Sequence, residues 1–470
     1  MNKYFKTYIA ILTLVVLASC KVSKDITATQ LPLPASYRDV ANADTSSIAD
    51  IQWKSFFTDA ALQKLIDSAV INNYDMQAAL KNIEAAQLVV KQTKLGYLPE
   101  AKLQAGTSIN RPSDNSLNGL SLSQFLGKSY VEDYSVNAAL SWEADIWGKI
   151  KNQKAKALAV YLQTAEAKKA IQTNLVSDVA KGYYNLLMLD AQLAIANKNS
   201  LLNDSTLRII KLQYNAGQVT ALAVQQAEAQ RLVAVQLVPL LQQEITLQEN
   251  ALSILTAVAP AAIERSTEIK NIVFTQNISA GVPSTLISNR PDVKTNELAL
   301  TVANANAGIA KAAMYPSLTI TAAGGINAFK SSNWFNIPAS LFGNVAGGIT
   351  QPLFQRKQLK TQYELAKVAR EKTVIQFRQS VLNAVGEVSD ALVRNEKLKE
   401  QEAIAATRVN TLQQAISNAD LLFKNGMATY LEVITAQSNT LQGELDLAVL
   451  KKDQLNAVVE LYRALGGRWK

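Results

Sequence analysis

The chain has 470 residues, 48% hydrophobic and 18% charged, with 47 Lys and Arg against 38 Asp and Glu and no histidine. That composition excludes a disordered chain, and the missing imidazole excludes Ser-His-Asp and Cys-His nucleophile systems, His-ligated zinc or haem, and a histidine proton shuttle. One cysteine leaves no intramolecular disulfide and no multi-thiolate metal site, and a net charge of +9 scattered along the chain does not describe a nucleic-acid groove.

Lys3 and Lys6 precede an apolar run, Tyr8 to Leu17, that is too short to span a bilayer but suits the core of a secretory signal. The run ends in Leu17-Ala18-Ser19-Cys20, which resembles the bacterial lipobox. That resemblance implies cleavage of residues 1–19 as a signal peptide and a lipid on the Cys20 thiol, with palmitate among the acyl groups. It also implies that Lys21, where an inner-membrane retention signal places aspartate, permits sorting to the outer membrane. An ordinary signal peptide with an incidental cysteine is the plainer alternative. Residues 20–50, polar and containing Pro32 and Pro34, read as a lipidated tether.

From residue 51 the chain repeats itself. Asn73-Tyr74-Asp75 and Arg290-Pro291-Asp292 open similar segments that end in Tyr97-Leu98-Pro99 and Met314-Tyr315-Pro316, both at an offset of 217. Tyr214-Asn215-Ala216-Gly217 and Phe423-Lys424-Asn425-Gly426 match at 209. Duplication of a domain accounts for such a period, with repeats at 51–285 and 286–470. Heptad spacing through Leu158, Ala165, Val179, Leu186 and Leu193, with no proline, predicts a helix over 149–214. At about 1.5 Å per residue it would extend roughly 100 Å. Further long helices are predicted over 221–256, 357–422 and 430–465. A coiled-coil scaffold would satisfy these helices alone.

Strand signals argue against that scaffold. Tyr134, Val136, Ala138, Leu140 and Trp142 alternate with small or polar residues and predict a strand over 131–143; others are expected at 101–110, 316–328 and 342–353, each pair joined by a polar or glycine-rich loop. Combined with secretion, strands of about ten residues fit a transmembrane barrel whose lipid-facing side carries Tyr134, Val136, Leu140 and Trp142. Four strands cannot close a barrel. Open edges cannot face lipid, so several chains must contribute: two copies would give eight strands with a side-chain-filled interior and three would give twelve around a channel, and the geometry favours three.

Trp53-Lys54-Ser55-Phe56-Phe57-Thr58-Asp59, Asn72-Asn73-Tyr74-Asp75, Ser141-Trp142-Glu143-Ala144-Asp145-Ile146-Trp147-Gly148-Lys149, Leu286-Ile287-Ser288-Asn289-Arg290-Pro291-Asp292 and Ala313-Met314-Tyr315-Pro316 together resemble the TolC-like outer-membrane efflux lipoproteins that serve resistance-nodulation-division pumps. The resemblance runs from Cys20 onward with the motifs in order. It implies an α+β membrane protein, a homotrimer with a twelve-stranded barrel continued by a periplasmic helical barrel. It implies an inner-membrane pump, a periplasmic adaptor and outer-membrane lipid as partners, no cofactor or metal, and a passive exit duct for small molecules rather than an enzyme. A type I protein-secretion duct is the alternative within the same class.

Glu143 and Asp145 imitate a glycosidase carboxylate pair, but such pairs flank a cleft from separate elements, and both residues are expected to cap the helix beginning near Gly148. Gly217 and Gly426 read as left-handed helix ends. The resemblance places them, with Val219 and Thr429, at the periplasmic tip that meets the adaptor. It places Phe423, Leu431 and Glu432 at the pore entrance. An aromatic hydroxyl, an arginine and an aspartate bridge hairpins elsewhere in that family; Phe423, Ala428 and Ala223 stand there here and cannot. Of two acidic lumen positions, Glu432 remains and Thr435 replaces the other. Glu432 alternatively serves only the helix N-terminus.

Overall fold

Alternating side chains build four strands, β1 (Glu100–Asn110), β2 (Val131–Ala144), β3 (Ser317–Ala328) and β4 (Leu341–Thr350), joined in one antiparallel sheet in that order. The computed structural model describes Asp25, Tyr37, Ser47, Ile48, residues 51–274, Gly281, Pro283 and residues 289–467. The expected signal peptide and Cys20 lie outside the described residues, as does Leu286-Ile287-Ser288 of the second-repeat motif. β4 stops at Thr350 rather than near residue 353, because Pro352 has no N–H to continue a ladder.

Cross-strand partners share a face, so the register sorts the sheet into two surfaces. Leu140 stands opposite Ala101 and Ala322, Tyr134 opposite Thr107 and Ala328, and Trp142 opposite Ile320. Val345 extends the same row beyond Ala322. The other surface is small or polar: Ser135 faces Gly106 and Asn327, and Asn137 faces Gln104 and Gly325.

The helices are α1 (Trp53–Phe56), α2 (Ala60–Asn72), α3 (Tyr74–Lys94), α4 (Leu117–Leu126), α5 (Lys149–Asn215), α6 (Ala221–Leu255), α7 (Pro291–Ala312), α8 (Gln358–Lys424) and α9 (Tyr430–Ala464). Lengths recur: α5 and α8 each have 67 residues, α6 and α9 each 35. No described helix is long and apolar enough to cross a membrane. α4 departs from the expected polar loop. Ser116 accepts the Gly119 N–H at 3.1 Å to start it, and Gly127, at φ 61°, ends it.

Two compact units divide the described chain, one containing 84–162 and 298–375 and the other 51–83, 163–274, 289–297 and 376–467. Each takes segments from both sequence repeats. In the second unit the Phe56 ring stacks on Tyr462 at 4.2 Å, and the Tyr462 hydroxyl donates to the Ile51 carbonyl at 2.9 Å, which accounts for the Trp53-to-Asp59 motif as a clasp on the last helix. Tyr37 and Ile48 are buried, so the segment read as a tether is not wholly peripheral. Asn73 donates to the Leu255 carbonyl at 3.0 Å and Arg290 to the Ala464 carbonyl at 3.1 Å, so each repeat ties the C-terminus of its shorter long helix in the same manner.

Gly148, immediately before α5, has φ 74°; Lys357, immediately before α8, has φ 62°. A side chain pays a conformational penalty in that left-handed region. Lys357→Gly is therefore expected to stabilise the fold by about 1 kcal/mol. Thermal unfolding followed by circular dichroism should show a higher midpoint, and an unchanged or lower one would mean that Lys357 makes compensating interactions.

Candidate functional site

The hairpin turns between α5 and α6 and between α8 and α9 are built alike. Gly217 and Gly426 both adopt φ 70°, a left-handed conformation that lets the backbone fold back on the last helical turn. Gly217 and Gln218 N–H groups donate to Tyr214 and Gln213 carbonyls, each at 2.9 Å. Gly426 and Met427 repeat this with Phe423 and Leu422 at 3.1 and 2.9 Å. Thr220 and Thr429 then open the returning helices with nearly identical extended dihedrals, φ −85° and −87° with ψ 164°.

Glu432 belongs to the second turn. Its carboxylate accepts the Thr429 backbone N–H at 2.7 Å and also the Thr429 hydroxyl. The hydroxyl bond, followed by the backbone N–H bonds, holds the carboxyl below its ordinary range. A depressed folded pKa contributes stability fully above the ordinary glutamate pKa and loses it as pH falls through the depressed value. An NMR titration should therefore find Glu432 titrating below a free glutamate, and Thr429→Ala should move it back up; no movement would remove the cap from the account.

Phe423 packs between the two hairpins. Expected at the pore entrance, it is only 6% exposed and closes a cluster with Leu207, Ile210, Ala223, Ala227 and Val433, with Val219 and Ala428 packed alongside. The ring is consumed by packing between the chain's own two hairpins, where Ala223 and Ala428 are small enough to admit it. Leu431 remains 55% exposed. Polar links that single-sequence reading missed add to the cluster: the Tyr430 hydroxyl donates to Gln226 Oε1 at 2.7 Å, and Gln437 Nε2 donates to Thr206 Oγ1 at 2.7 Å. Arg231 also pairs with Asp204 and Glu228. The Tyr430–Gln226 and Gln437–Thr206 partners lie 204 and 231 positions apart and meet only in the fold, whereas Arg231 reaches partners within 27 positions.

In the other unit, the strand-to-helix motif is structural, with one revision. Asp145 accepts the Ile150 and Lys151 N–H groups, each at 2.8 Å, and caps α5. Glu143 does not cap; it pairs with Lys149 Nζ at 2.9 Å because its side chain leaves the strand two residues earlier. Trp147 donates to the Pro316 carbonyl at 2.7 Å and stacks on Tyr315 at 4.8 Å, while Trp142 donates to the Tyr97 carbonyl at 2.8 Å. Tyr134, Val136, Leu140 and Trp142 occupy one continuous apolar sheet face.

The chain as a whole is similar to known proteins. The family model described as outer membrane efflux protein matches residues 65–258 and again 282–467. The cation efflux system protein CusC of Escherichia coli O6:H1 is 28% identical over 463 residues, covering 97% of each chain. The toluene efflux pump outer membrane protein TtgI of Pseudomonas putida is 28% identical over 464 residues, again covering 97% of each. A crystal structure of a membrane protein from Pseudomonas aeruginosa superposes with a TM-score of 0.87 at 27% identity, covering 96% of this chain and 98% of that one.

Proposed function

The chain belongs to the outer membrane efflux protein family, and from that premise we propose that three copies close into one duct that receives cargo from a periplasmic adaptor and an inner-membrane pump. Its place is the outer membrane and its role is the exit duct of an efflux system. Conduction is passive and no residue is assigned a catalytic step.

The observation that carries the trimer is the pair of open sheet edges. Among the described residues, β1 and β4 each lack a partner on one side within the chain. With four antiparallel strands, β4 of one copy meets β1 of the next in antiparallel sense, and three copies make a twelve-stranded wall with room for a channel. Exposed apolar stripes support the same closure. Leu222, Val233, Leu240, Leu247 and Ile254 line α6 at intervals of eleven or seven; Val368, Ile375, Leu382, Val393 and Ile404 line α8 at the same intervals. Such spacing suits helix pairing between copies. Two matches of one family model, together with the paired turns, support the duplication. Glu432, three times around the axis, would favour cations at the narrow entrance.

SDS-resistant trimers with single-channel conductance in planar bilayers are the expected behaviour; a monomer without conductance would overturn the reading. Glu432→Gln should reduce cation preference, and unchanged selectivity would leave that residue its capping role alone. The relatives are named for cations and for toluene at equal identity, so no cargo class is assigned.

Lipidation of Cys20 is part of the proposal. A relative named as a probable outer membrane lipoprotein, SilC of Salmonella typhimurium, supports it beside the lipobox. Mass spectrometry should find a mature N-terminus at Cys20 carrying acyl chains. A chain beginning elsewhere, or unmodified, would exclude the anchor.

A further inference from the structure

Charges that look scattered in the sequence collect at one end of the sheet. Register joins the start of β1, the end of β2, the start of β3 and the end of β4: Glu100 stands opposite Ser141, Ala144 opposite Leu318, and Ser317 opposite Thr350. The flanking segments, residues 91–102, 143–156, 311–317 and 350–360, hold eleven Lys and Arg and only three Asp and Glu. Segments beyond the opposite end, 111–133 and 328–341, hold three of each. The sheet therefore has one basic end and one balanced end.

The few carboxylates at the basic end are already engaged. Glu100 pairs with Lys102 at 3.2 Å, Glu143 with Lys149 at 2.9 Å, and Asp145 caps α5. Lys91, Lys94, Lys154, Lys156, Arg356 and Lys360 are exposed, and no carboxylate among the described residues pairs with them. Beside them Leu98, Leu353 and Phe354 are exposed as well, the last two by 92% and 86%. Arg356 and Lys357 hold left-handed φ values of 49° and 62°, and the first repeat has Gly148 at the position of Lys357. Backbone strain retained at two consecutive cations marks a position kept for something other than folding.

We propose that this end of the sheet seats the negatively charged headgroups of phospholipids in the leaflet nearest the long helices, with the exposed apolar side chains entering the acyl boundary. The inference rests on the reading of the sheet as a membrane-spanning wall. Ammonium and guanidinium groups within a Debye length of an anionic leaflet are drawn to its phosphodiesters, and apolar neighbours convert that attraction into seating at the interface.

The test uses the full assembled protein and a variant carrying Lys154→Gln, Lys156→Gln, Arg356→Gln and Lys360→Gln. Native mass spectrometry after titration with phosphatidylglycerol or phosphatidylcholine should show roughly tenfold tighter retention of phosphatidylglycerol by the wild type at low salt, reduced at high salt. The variant should lose that preference, while Lys154→Arg with Lys156→Arg and Lys360→Arg should keep it. Equal retention of both lipids by the wild type, or an unchanged preference in the glutamine variant, would overturn the inference. So would a shift of the variant's ion selectivity in phosphatidylcholine bilayers, which would turn these cations toward the channel. Conductance in phosphatidylcholine separates the two levels: a wild type that conducts but shows no lipid preference defeats only the headgroup seat, whereas one that never inserts defeats the membrane-spanning wall and the seat together.

Discussion

Leu140→Arg is expected to block membrane insertion, at a cost of about 2 to 4 kcal/mol if the residue lies near mid-bilayer. The reason is the register. Leu140 stands between Ala101 and Ala322 on a face that is apolar from β1 through β4, so a guanidinium there would have no polar neighbour across either ladder. Ser135 lies on the opposite face between Gly106 and Asn327, and Ser135→Arg should insert normally and alter conductance instead. Outer-membrane fractionation and planar-bilayer recording distinguish the two. Equal impairment by both substitutions would reverse the faces or remove the barrel.

Arg290→Ala should destabilise the second unit by about 3 kcal/mol. The guanidinium is buried, meets Asp292 through two bonds of 3.0 and 2.6 Å, reaches Glu387 at 3.0 Å and caps the Ala464 carbonyl at 3.1 Å. Both carboxylate partners keep partial access to water, which places the loss at the low end for a broken buried pair. Burial pushes the Asp292 carboxyl up, but the Arg290 bonds outweigh it and hold the group below its ordinary range. That pair therefore contributes above the ordinary aspartate pKa and is lost as pH falls through the depressed value. Denaturant unfolding of wild type and variant should converge in acid. A constant difference across pH would assign the loss to the Ala464 cap.

Strands and long helices were legible because their periods are simple. Tyr134 to Trp142 alternates strictly, and the run from Leu158 to Leu193 repeats by sevens, so local pattern and final element agree. α4 escaped notice because its cues, Ser116 and Gly127, flank only ten residues inside an apparently polar loop. The packing partners of Phe423 were hidden for a different reason. A position known only by resemblance says nothing about which surface its side chain enters, and in the fold the ring packs among Ala223, Ala227 and Val433. Tyr430 and Gln226 had no signal, since a hydrogen bond between two hairpins leaves no spacing in the chain. The basic sheet end was hidden likewise, its cations divided among four segments that only the sheet register joins.

The proposed closure of the duct by three copies requires the outer edges of β1 and β4, unpaired among the described residues, to meet between copies. Cysteine pairs scanned along β1 and β4 in a Cys20→Ser background, oxidised in the membrane and separated by denaturing electrophoresis, should give a covalent ladder that stops at three chains. A product confined to single chains, a ladder that stops at two, or one that continues past three would contradict the trimeric wall.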